Sequence, residues 1–293
     1  MEIVDSIESL RVTRAGLQGR VGLVTTMGAL HAGHLKLVDE ARQDNDVVIV
    51  SIFINPTQFA ANEDLSKYPR DLPKDLELLR AAGVDWVFTP TPEMMYPPGF
   101  QTWVEVTDLS QGLEGARRPG HFKGVATVVT KLFNLVQPRV AYFGQKDAQQ
   151  VAVIKHMVRD LNFPLDIAVI PTVREADGLA LSSRNIYLSP EQRVGAGVIY
   201  HALNTAVEAY DLRERAPFAL RQAMMYVIMN EPLAELDYIS VADATTLQEL
   251  DAPTQQPLLI SLTVKFGRTR LLDNMLLPAD LNTREGLSAV LGG

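Results

Sequence analysis

The most informative part of the chain is Thr25-Thr26-Met27-Gly28-Ala29-Leu30-His31-Ala32-Gly33-His34, which has the pattern of a strand that runs into a glycine-rich turn and then a helix. β-Branched and apolar residues precede it from Val21, and the amphipathic residues 35–42 follow it. Such a turn directs free backbone N–H groups toward an anion, and Gly28 and Gly33 allow a phosphate to approach closely. Imidazole rings can donate to phosphate oxygens. The stretch therefore predicts a nucleotide-phosphate site after a first strand.

The two histidines also have an ordinary interpretation. Nearby histidines are often plain surface or core residues, and a metal site would need a third ligand. Because His31 and His34 lie where a strand turns into a helix, we favour the phosphate site.

Short β-branched runs recur on both sides of this stretch, and helix-like segments separate several of them. The strand-like runs are residues 21–26, 46–54, 85–89 and 140–143, and helices are predicted over 71–82 and 124–136. Alternating strands and helices predict an α/β fold, a doubly wound, Rossmann-like parallel sheet that binds ligands at the carboxyl ends of its strands.

The pattern changes after Pro171. Helices are predicted over residues 190–215 and 217–230, and strands over 237–242, 257–266 and 269–274, with a hairpin turn at Gly267-Arg268. This predicts a smaller α+β domain over residues 175–293, after a larger domain over residues 1–174. Gly292-Gly293 is expected to be a loose terminus.

Composition excludes several classes of function. The chain has no cysteine, which excludes disulfides, thiolate metal sites and a cysteine nucleophile. A net charge of -8 opposes nucleic-acid binding. The longest apolar run, residues 47–54, is too short to cross a bilayer, and the first residues carry no readable targeting signal. We therefore expect a cytoplasmic protein with neither nucleic acid nor membrane as a partner.

Three other segments carry polar groups suited to the same chemistry. Gln58 follows a strand and can donate to a carboxylate while accepting from a hydroxyl, although an Asn-Pro turn is often only a turn. Lys146-Asp147 follows Gly144 at the end of a strand, with Gln150 one turn beyond, but could be a solvated ion pair. Residues 182–184 place two serines and an arginine near Gly178, a composition of phosphate-binding loops and also of exposed loops.

Residues 25–34 resemble the HxGH signature of the nucleotidylyltransferase superfamily, shared with class I aminoacyl-tRNA synthetases. Within it, the chain resembles the pantothenate synthetase family over about its whole length. The further matching segments are residues 53–59, 68–70, 118–125, 143–150, 181–185 and 270–274. Gln145 is a departure, because many relatives carry Glu there.

This resemblance implies an ATP-dependent ligase that joins (R)-pantoate to β-alanine through a pantoyl-adenylate, releasing AMP and pyrophosphate. It implies Mg²⁺ with the nucleotide, a homodimer, an ATP- and pantoate-binding domain over residues 1–174, and a domain over residues 175–293 that closes over the nucleotide. Among the catalytic residues, His34 is expected to be the proton donor, with His31 and Lys146 beside it.

The resemblance also implies which residues bind each substrate. The expected ATP-binding residues are Met27, Gly28, Ala29, Leu30, His31, Ala32, Gly33, His34, Gly144, Gln145, Lys146, Asp147, Val173, Leu181, Ser182, Ser183 and Arg184. The expected pantoate and β-alanine contacts are Gln58, Gln150, Asn55, Arg118 and His121, although Arg118 and His121 could be surface polar residues. Asp147 is expected near the Mg²⁺-nucleotide.

Other functions stay open at this stage. A nucleotidylyltransferase of cofactor biosynthesis would keep the nucleotide on its product, and a regulator would bind nucleotide without turnover. A tRNA synthetase is disfavoured by size and acidity. The sequence contains neither G-x-x-x-x-G-K-[ST] nor G-x-G-x-x-G, so P-loop and dinucleotide-binding functions lack support.

Overall fold

The computed structural model describes residues 1–59 and 65–293. Its strands are β1 (Glu2–Val4), β2 (Val21–Thr26), β3 (Val47–Ile52), β4 (Trp86–Phe88), β5 (Val140–Gly144), β6 (Asp166–Ile170), β7 (Glu235–Asp243), β8 (Leu258–Phe266) and β9 (Thr269–Leu277). Its α-helices are α1 (Ile7–Gly16), α2 (Ala32–Asp44), α3 (Leu72–Ala81), α4 (Pro92–Met95), α5 (Leu113–Arg117), α6 (His121–Val136), α7 (Ala148–Asp160), α8 (Pro190–Gly195), α9 (Val198–Asp211), α10 (Pro217–Met229) and α11 (Arg284–Val290). Short 3-10 turns cover Pro56–Gln58, Leu65–Lys67, Gln145–Asp147, Ser183–Tyr187 and Ala279–Leu281.

The larger sheet has the strand order β1-β4-β3-β2-β5-β6. β2 has parallel neighbours on both sides, with Val21 opposite Val47 on β3 and Gly22 opposite Val140 on β5. From β2 the chain adds β3 and β4 on one side, and it later adds β5 and β6 on the other. Ligands of open α/β sheets bind at the carboxyl ends of the strands where the order reverses in this way. The HxGH stretch leaves β2 at that reversal.

The central strands are buried on both faces. Leu23 and Val24 are consecutive on β2 and so point to opposite faces, and both are fully buried. Val48 and Ile49 on β3 repeat the pattern. Near-continuous apolar runs of this kind are typical of parallel strands that helices cover on both sides.

The chain divides into two compact units. The first unit comprises Met1–Phe143 and Val153–Ala168, and the second comprises Gly144–Ala152 and Val169–Gly293. Within the second unit, β7, β8 and β9 form an antiparallel sheet. α9 and α10 contact this sheet, and Leu203, Met224 and Phe266 are fully buried in its core.

The predicted fold class is confirmed, with differences in detail. The sheet also contains β1 and β6, which are not among the predicted strands, so the HxGH stretch follows the second strand and not the first. The helix predicted over residues 190–215 is two helices, α8 and α9, with a break at Ala196-Gly197. The expected loose terminus is wrong, because Leu291 is fully buried and the Gly292 N–H donates to the carbonyl of Ala244.

No helix in the described part of the chain combines the length and the apolar character that a membrane span requires. The hairpin predicted at Gly267-Arg268 is present, with Phe266 paired to Thr269 across the turn and Gly267 at φ +60°. Positive φ at Gly267 is the conformation that a two-residue hairpin turn demands.

Candidate active site

The motif loop, residues 27–31, joins β2 to α2. Gly28 has φ +81°, and a Cβ there would lie 2.9 Å from Oδ2 of Asp75. Ala29 also has a positive φ, +51°. The position of Gly28 therefore requires glycine both for its backbone conformation and for the closeness of Asp75.

The two histidines cap α2 reciprocally. Nδ1 of His31 accepts from the Gly33 N–H at 3.1 Å, and Nδ1 of His34 accepts from the His31 N–H at 3.3 Å. Their ring centroids are 4.0 Å apart. Because Nδ1 of each neutral ring accepts a hydrogen bond, the ring proton lies on Nε2. Each ring therefore carries an Nε2–H that can donate to an anionic oxygen.

A buried carboxylate accepts hydrogen bonds from the backbone of the motif loop. Asp75, only 2% exposed, accepts from the N–H of Ala29 at 2.9 Å and of Leu30 at 2.8 Å. Other N–H groups of the stretch with acceptors inside the protein are those of Gly28, His31, Gly33 and His34. The expectation that these N–H groups are free for an anion is wrong. The imidazole N–H groups are donors of a kind that suits a phosphate oxygen.

Asn55, Gln58, Arg118 and His121, the predicted acid-binding residues of the first unit, form one hydrogen-bonded group, here called the amide cluster. Asn55 Nδ2 donates to Gln58 Oε1 and to the Gly124 carbonyl, each at 3.1 Å. Asn55 is 1% exposed, so it orients Gln58 from within the protein. Gln58 Nε2 lies 2.9 Å from the sulfur of Met27, which joins the cluster to the motif loop.

His121 links the remaining members of the amide cluster. It is 6% exposed, so the surface alternative is wrong. Its Nδ1 lies 2.7 Å from the Gln58 carbonyl oxygen, and its Nε2 lies 3.1 Å from Nη1 of Arg118. A guanidinium only donates, so Nε2 accepts and Nδ1–H donates to Gln58. His121 thus carries its ring proton on the opposite nitrogen from His31 and His34.

Gly124 allows α6 to approach the turn that carries Gln58. A Cβ on Gly124 would lie 2.5 Å from the Thr57 carbonyl oxygen and 2.8 Å from the Gln58 nitrogen. Any side chain at this position would therefore displace the turn and the Gln58 amide with it.

The second unit carries the lysine segment. Lys146 and Asp147 form an ion pair at 3.7 Å, with the lysine side chain 19% and the aspartate 55% exposed. Asn274, which is 1% exposed, donates to the carbonyls of Gln145 at 3.2 Å and Lys146 at 2.9 Å. Asn274 thereby fixes the backbone from which Lys146 projects. Gln150 is half-buried on the first turn of α7.

The side chain of Gln145 in this segment is held by hydrogen bonds. Its side chain is 2% exposed, its Nε2 donates to Asn282 Oδ1 at 2.7 Å, and its Oε1 accepts from the Thr172 N–H at 3.3 Å. Both ends of the amide are therefore used inside the second unit.

The serine loop, residues 173–184, is a tight hairpin that leads into a 3-10 turn. The Leu181 N–H donates to the Val173 carbonyl at 2.9 Å. Ser182 Oγ accepts from the Arg184 N–H at 3.2 Å and caps the turn. Val173, Leu181, Ser182, Ser183 and Arg184 are all partly exposed.

Arg193 on α8 forms ion pairs with two carboxylates of the serine loop. It donates to Glu175 Oε2 at 2.8 Å and to both Asp177 oxygens at 2.6 and 2.9 Å. The hydrogen bond from Arg193 lowers the pKa of the Asp177 carboxyl below its ordinary range. The other oxygen of Glu175 accepts from Asn185 at 3.1 Å, directly beyond Arg184.

Several of these supporting residues are not among the predicted site residues. Asp75 had a detectable signal, because it shares a helix face with Leu79 and places a charge among apolar residues. Asn274 and Arg193 had none, because each acts on residues distant in the sequence.

Within the described residues, no group of three or more His, Asp or Glu side chains is arranged to hold a metal ion. Asp147 offers a single exposed carboxylate. Mg²⁺ is commonly held by one or two carboxylates together with substrate phosphates, so Asp147 suits a metal that arrives with the nucleotide.

The parallel sheet and the histidine-capped turn after β2 define an α/β protein of the HxGH nucleotidylyltransferase class. The sequence matches the model of the pantoate-beta-alanine ligase family over residues 2–276. The chain belongs to this family.

Individual relatives are similar in sequence to this chain over nearly its whole length. The pantothenate synthetase of Herpetosiphon aurantiacus is 55% identical over 94% of this chain and 100% of its own. The pantothenate synthetase of Roseiflexus sp. is 56% identical, over 95% of this chain and 100% of its own.

Solved structures agree as well. The pantothenate synthetase structure from Thermus thermophilus has a TM-score of 0.88 at 46% identity, covering 94% of this chain and 99% of that one. The Francisella tularensis pantoate-beta-alanine ligase, complexed with beta-gamma ATP and beta-alanine, has a TM-score of 0.78 at 36% identity, covering 94% and 97%.

Proposed function

We propose that this chain condenses (R)-pantoate with β-alanine, using ATP, to give pantothenate, AMP and pyrophosphate. The observation that carries the proposal is the 55% identity to a pantothenate synthetase over that relative's entire length. The Francisella relative, whose complex contains a form of ATP and beta-alanine, supports the substrates. The histidine-capped loop and the amide cluster supply chemically suitable groups for a phosphate and a carboxylic acid.

In the first step, a pantoate carboxylate oxygen attacks the α-phosphorus of MgATP, and the bond to pyrophosphate breaks. Negative charge builds on the leaving oxygens, and N–H donors aimed at them stabilise that charge. His34, as the proposed proton donor, and His31 would act through Nε2–H, and Lys146 would act through its ammonium group. Ser182, Ser183 and Arg184 would bind the phosphates with them. Proposed further contacts to ATP are Met27, Gly28, Ala29, Leu30, Ala32, Gly33, Gly144, Gln145, Asp147, Val173 and Leu181.

In the second step, the neutral amine of β-alanine attacks the pantoyl carbonyl carbon. The carbon–oxygen bond to AMP breaks, and the amine gives up a proton. Neither step needs a covalent bond to the enzyme, so catalysis is positioning and charge stabilisation. Gln58 and Gln150 would hold the acid, with Arg118 and His121 beside them, and Asn55 would orient Gln58.

We propose MgATP as the nucleotide substrate, with Asp147 near its metal. The ion neutralises phosphate charge when it is bound. The exposure of the Asp147 carboxylate supports this role.

The assembly and location of the enzyme are further proposals. We propose a cytoplasmic homodimer, supported by the family resemblance, and a domain over residues 175–293 that closes over the nucleotide bound by residues 1–174. The net charge of -8 supports small-molecule substrates over a nucleic-acid partner.

The test of the function is product formation with each substrate omitted in turn. Purified protein with ATP, Mg²⁺, pantoate and β-alanine should release AMP and pyrophosphate and form pantothenate. A product that keeps the nucleotide would contradict the ligase.

The two-step order has a separate test. Pantoate with MgATP should support exchange of labelled pyrophosphate into ATP without β-alanine, because the adenylate forms first. Exchange that strictly requires β-alanine would exclude the stepwise route.

A further inference from the structure

The direction in which the Gln58 amide points decides what the amide can bind. Its nitrogen end donates to a carboxylate and its oxygen end does not. Oε1 accepts from Asn55 Nδ2 at 3.1 Å, and Nε2 lies 2.9 Å from the Met27 sulfur. The donor end is therefore turned toward the motif loop. This orientation depends on Asn55, which could present either end of its own amide.

Hydrogen bonds at both ends of the Asn55 amide settle its orientation. At one end, the Gly124 carbonyl requires a donor and receives Nδ2 at 3.1 Å. At the other, the Tyr96 hydroxyl donates to Oδ1 at 2.9 Å. The Thr57 hydroxyl lies 2.9 Å from the same Oδ1 and 3.1 Å from the Tyr96 oxygen, which closes a small ring of hydrogen bonds. Rotating the Asn55 amide would turn Oδ1 toward the Gly124 carbonyl oxygen, which can only accept, and would break the hydrogen bond that the Tyr96 hydroxyl donates to Oδ1.

Aromatic packing fixes the Tyr96 ring. Trp103 stacks on it with centroids 6.1 Å apart, and Phe100 meets it edge-on at 5.2 Å. The Lys131 ammonium lies 5.9 Å from the ring centroid, within the range of a cation–π contact. Burial raises the pKa of Tyr96 above its ordinary range, so the hydroxyl keeps its proton at neutral pH.

We infer that Tyr96 is a positioning residue for the acid substrate, because its hydroxyl fixes Asn55 and Asn55 turns the donor end of Gln58 to the carboxylate. The inference rests on the proposed function, in which Gln58 holds pantoate. Tyr96 acts through Asn55 and does not itself touch the substrate.

The variant Tyr96→Phe tests the inference, because it keeps the ring and removes only the hydroxyl. Losing one buried hydrogen bond should raise the Kd and KM for pantoate roughly five-fold. The KM for ATP should stay within about two-fold, because the motif loop keeps its own hydrogen bonds to Asp75. Tyr226→Phe is the matched control, since Tyr226 is 74% exposed on α10.

A double-mutant cycle distinguishes a positioning role from a general structural one. In a Gln58→Ala background, Tyr96→Phe should no longer change the Kd for pantoate, because the group that it orients is gone. Additive effects would overturn the inference. The side-chain amide resonances of Asn55 and Gln58 in ¹⁵N-labelled protein give a readout that needs no turnover. They should shift in Tyr96→Phe and stay in place in Tyr226→Phe.

The outcomes separate the inference from the function on which it rests. A wild-type enzyme that makes pantothenate, with an unchanged pantoate Kd in Tyr96→Phe, overturns the inference alone. Wild-type protein that neither binds pantoate nor forms pantothenate overturns both. Unchanged amide resonances in Tyr96→Phe overturn the inference whatever the substrate is.

Discussion

His34 has two separate functions at the residue level. Its Nδ1 accepts from the His31 N–H, and its Nε2–H is the proposed donor to the leaving pyrophosphate. Replacement by alanine removes both, whereas asparagine keeps an acceptor near the position of Nδ1 and removes Nε2. We expect His34→Ala and His34→Asn each to slow adenylate formation by roughly 10²-fold in single-turnover kinetics.

Thermal unfolding should separate the two variants of His34. Only His34→Ala should lose about 1 kcal/mol of stability, because it loses the cap. Adenylate formation at the wild-type rate in His34→Asn would make the ring a structural cap and not a proton donor.

Gln145 supports a second prediction at this scale. Asn282 Oδ1 accepts from the Leu276 N–H at 2.9 Å, and its Nδ2 donates to the Leu276 carbonyl at 2.8 Å, so the amide of Asn282 cannot rotate. Its oxygen must face position 145, which therefore needs a donor. Gln145→Glu should destabilise the protein by about 1–3 kcal/mol at neutral pH, because an ionised carboxylate would face this oxygen.

The Gln145→Glu deficit should depend on pH. Burial and the facing oxygen would raise the pKa of the new carboxyl in the folded state above its unfolded value of about 4.3. The variant should therefore be as stable as it can be below that pH, and it should lose stability as the pH rises. Urea unfolding at several pH values measures this, with Gln222→Glu as the control, because Gln222 is an exposed residue of α10. A deficit that is equal at acidic and neutral pH would contradict the explanation.

At the level of elements, Arg193 connects α8 to the serine loop. Its contacts with Glu175 and Asp177, and the contact of Glu175 with Asn185, fix the backbone that presents Ser182 to Arg184. Arg193→Gln should raise the KM for ATP several-fold while the KM for pantoate changes little. Arg159→Gln is the control, because Arg159 forms an exposed ion pair with its neighbour Asp160. An equal rise in both KM values would indicate general misfolding instead.

The ion pair between Arg193 and Asp177 should stop stabilising the folded protein at acidic pH. The pKa of Asp177 is lowered in the folded state, so the stabilisation from its pair with Arg193 is present above the unfolded pKa of about 3.9 and is lost as the pH falls. The stability difference between wild type and Arg193→Gln should therefore shrink below about pH 4. A difference that persists unchanged there would exclude the ion pair as its source.

For the whole molecule, the proposed closure of the second domain predicts ligand-dependent proteolysis. Without nucleotide, cleavage should concentrate in the serine loop, because Ala176 and Asp177 in this loop are exposed. MgATP should slow that cleavage, and pantoate alone should slow it less. Mass spectrometry of the fragments identifies the cut site. Equal cleavage with and without MgATP would contradict closure.

The fold class and the location of the HxGH stretch follow from the amino-acid sequence alone. Hydrophobic periodicity is a local property, so the strands 21–26 and 140–143, the helix that ends before Gly83, and the hairpin at Gly267 could all be predicted. The short edge strand β1 could not, because it is only three residues long and its strand character depends on pairing with β4.

Tertiary structure decided how the site residues work. The N–H groups of Ala29 and Leu30 donate to Asp75, which is 45 or more positions away in the chain. The residues around Ala29 and Leu30 therefore do not show that these two donors already have an acceptor. Tyr96 likewise lies 41 positions from Asn55. Sequence patterns predict which residue types lie near a ligand, but only the folded chain decides which of their donors and acceptors are already used, because several of these atoms are satisfied by partners distant in sequence.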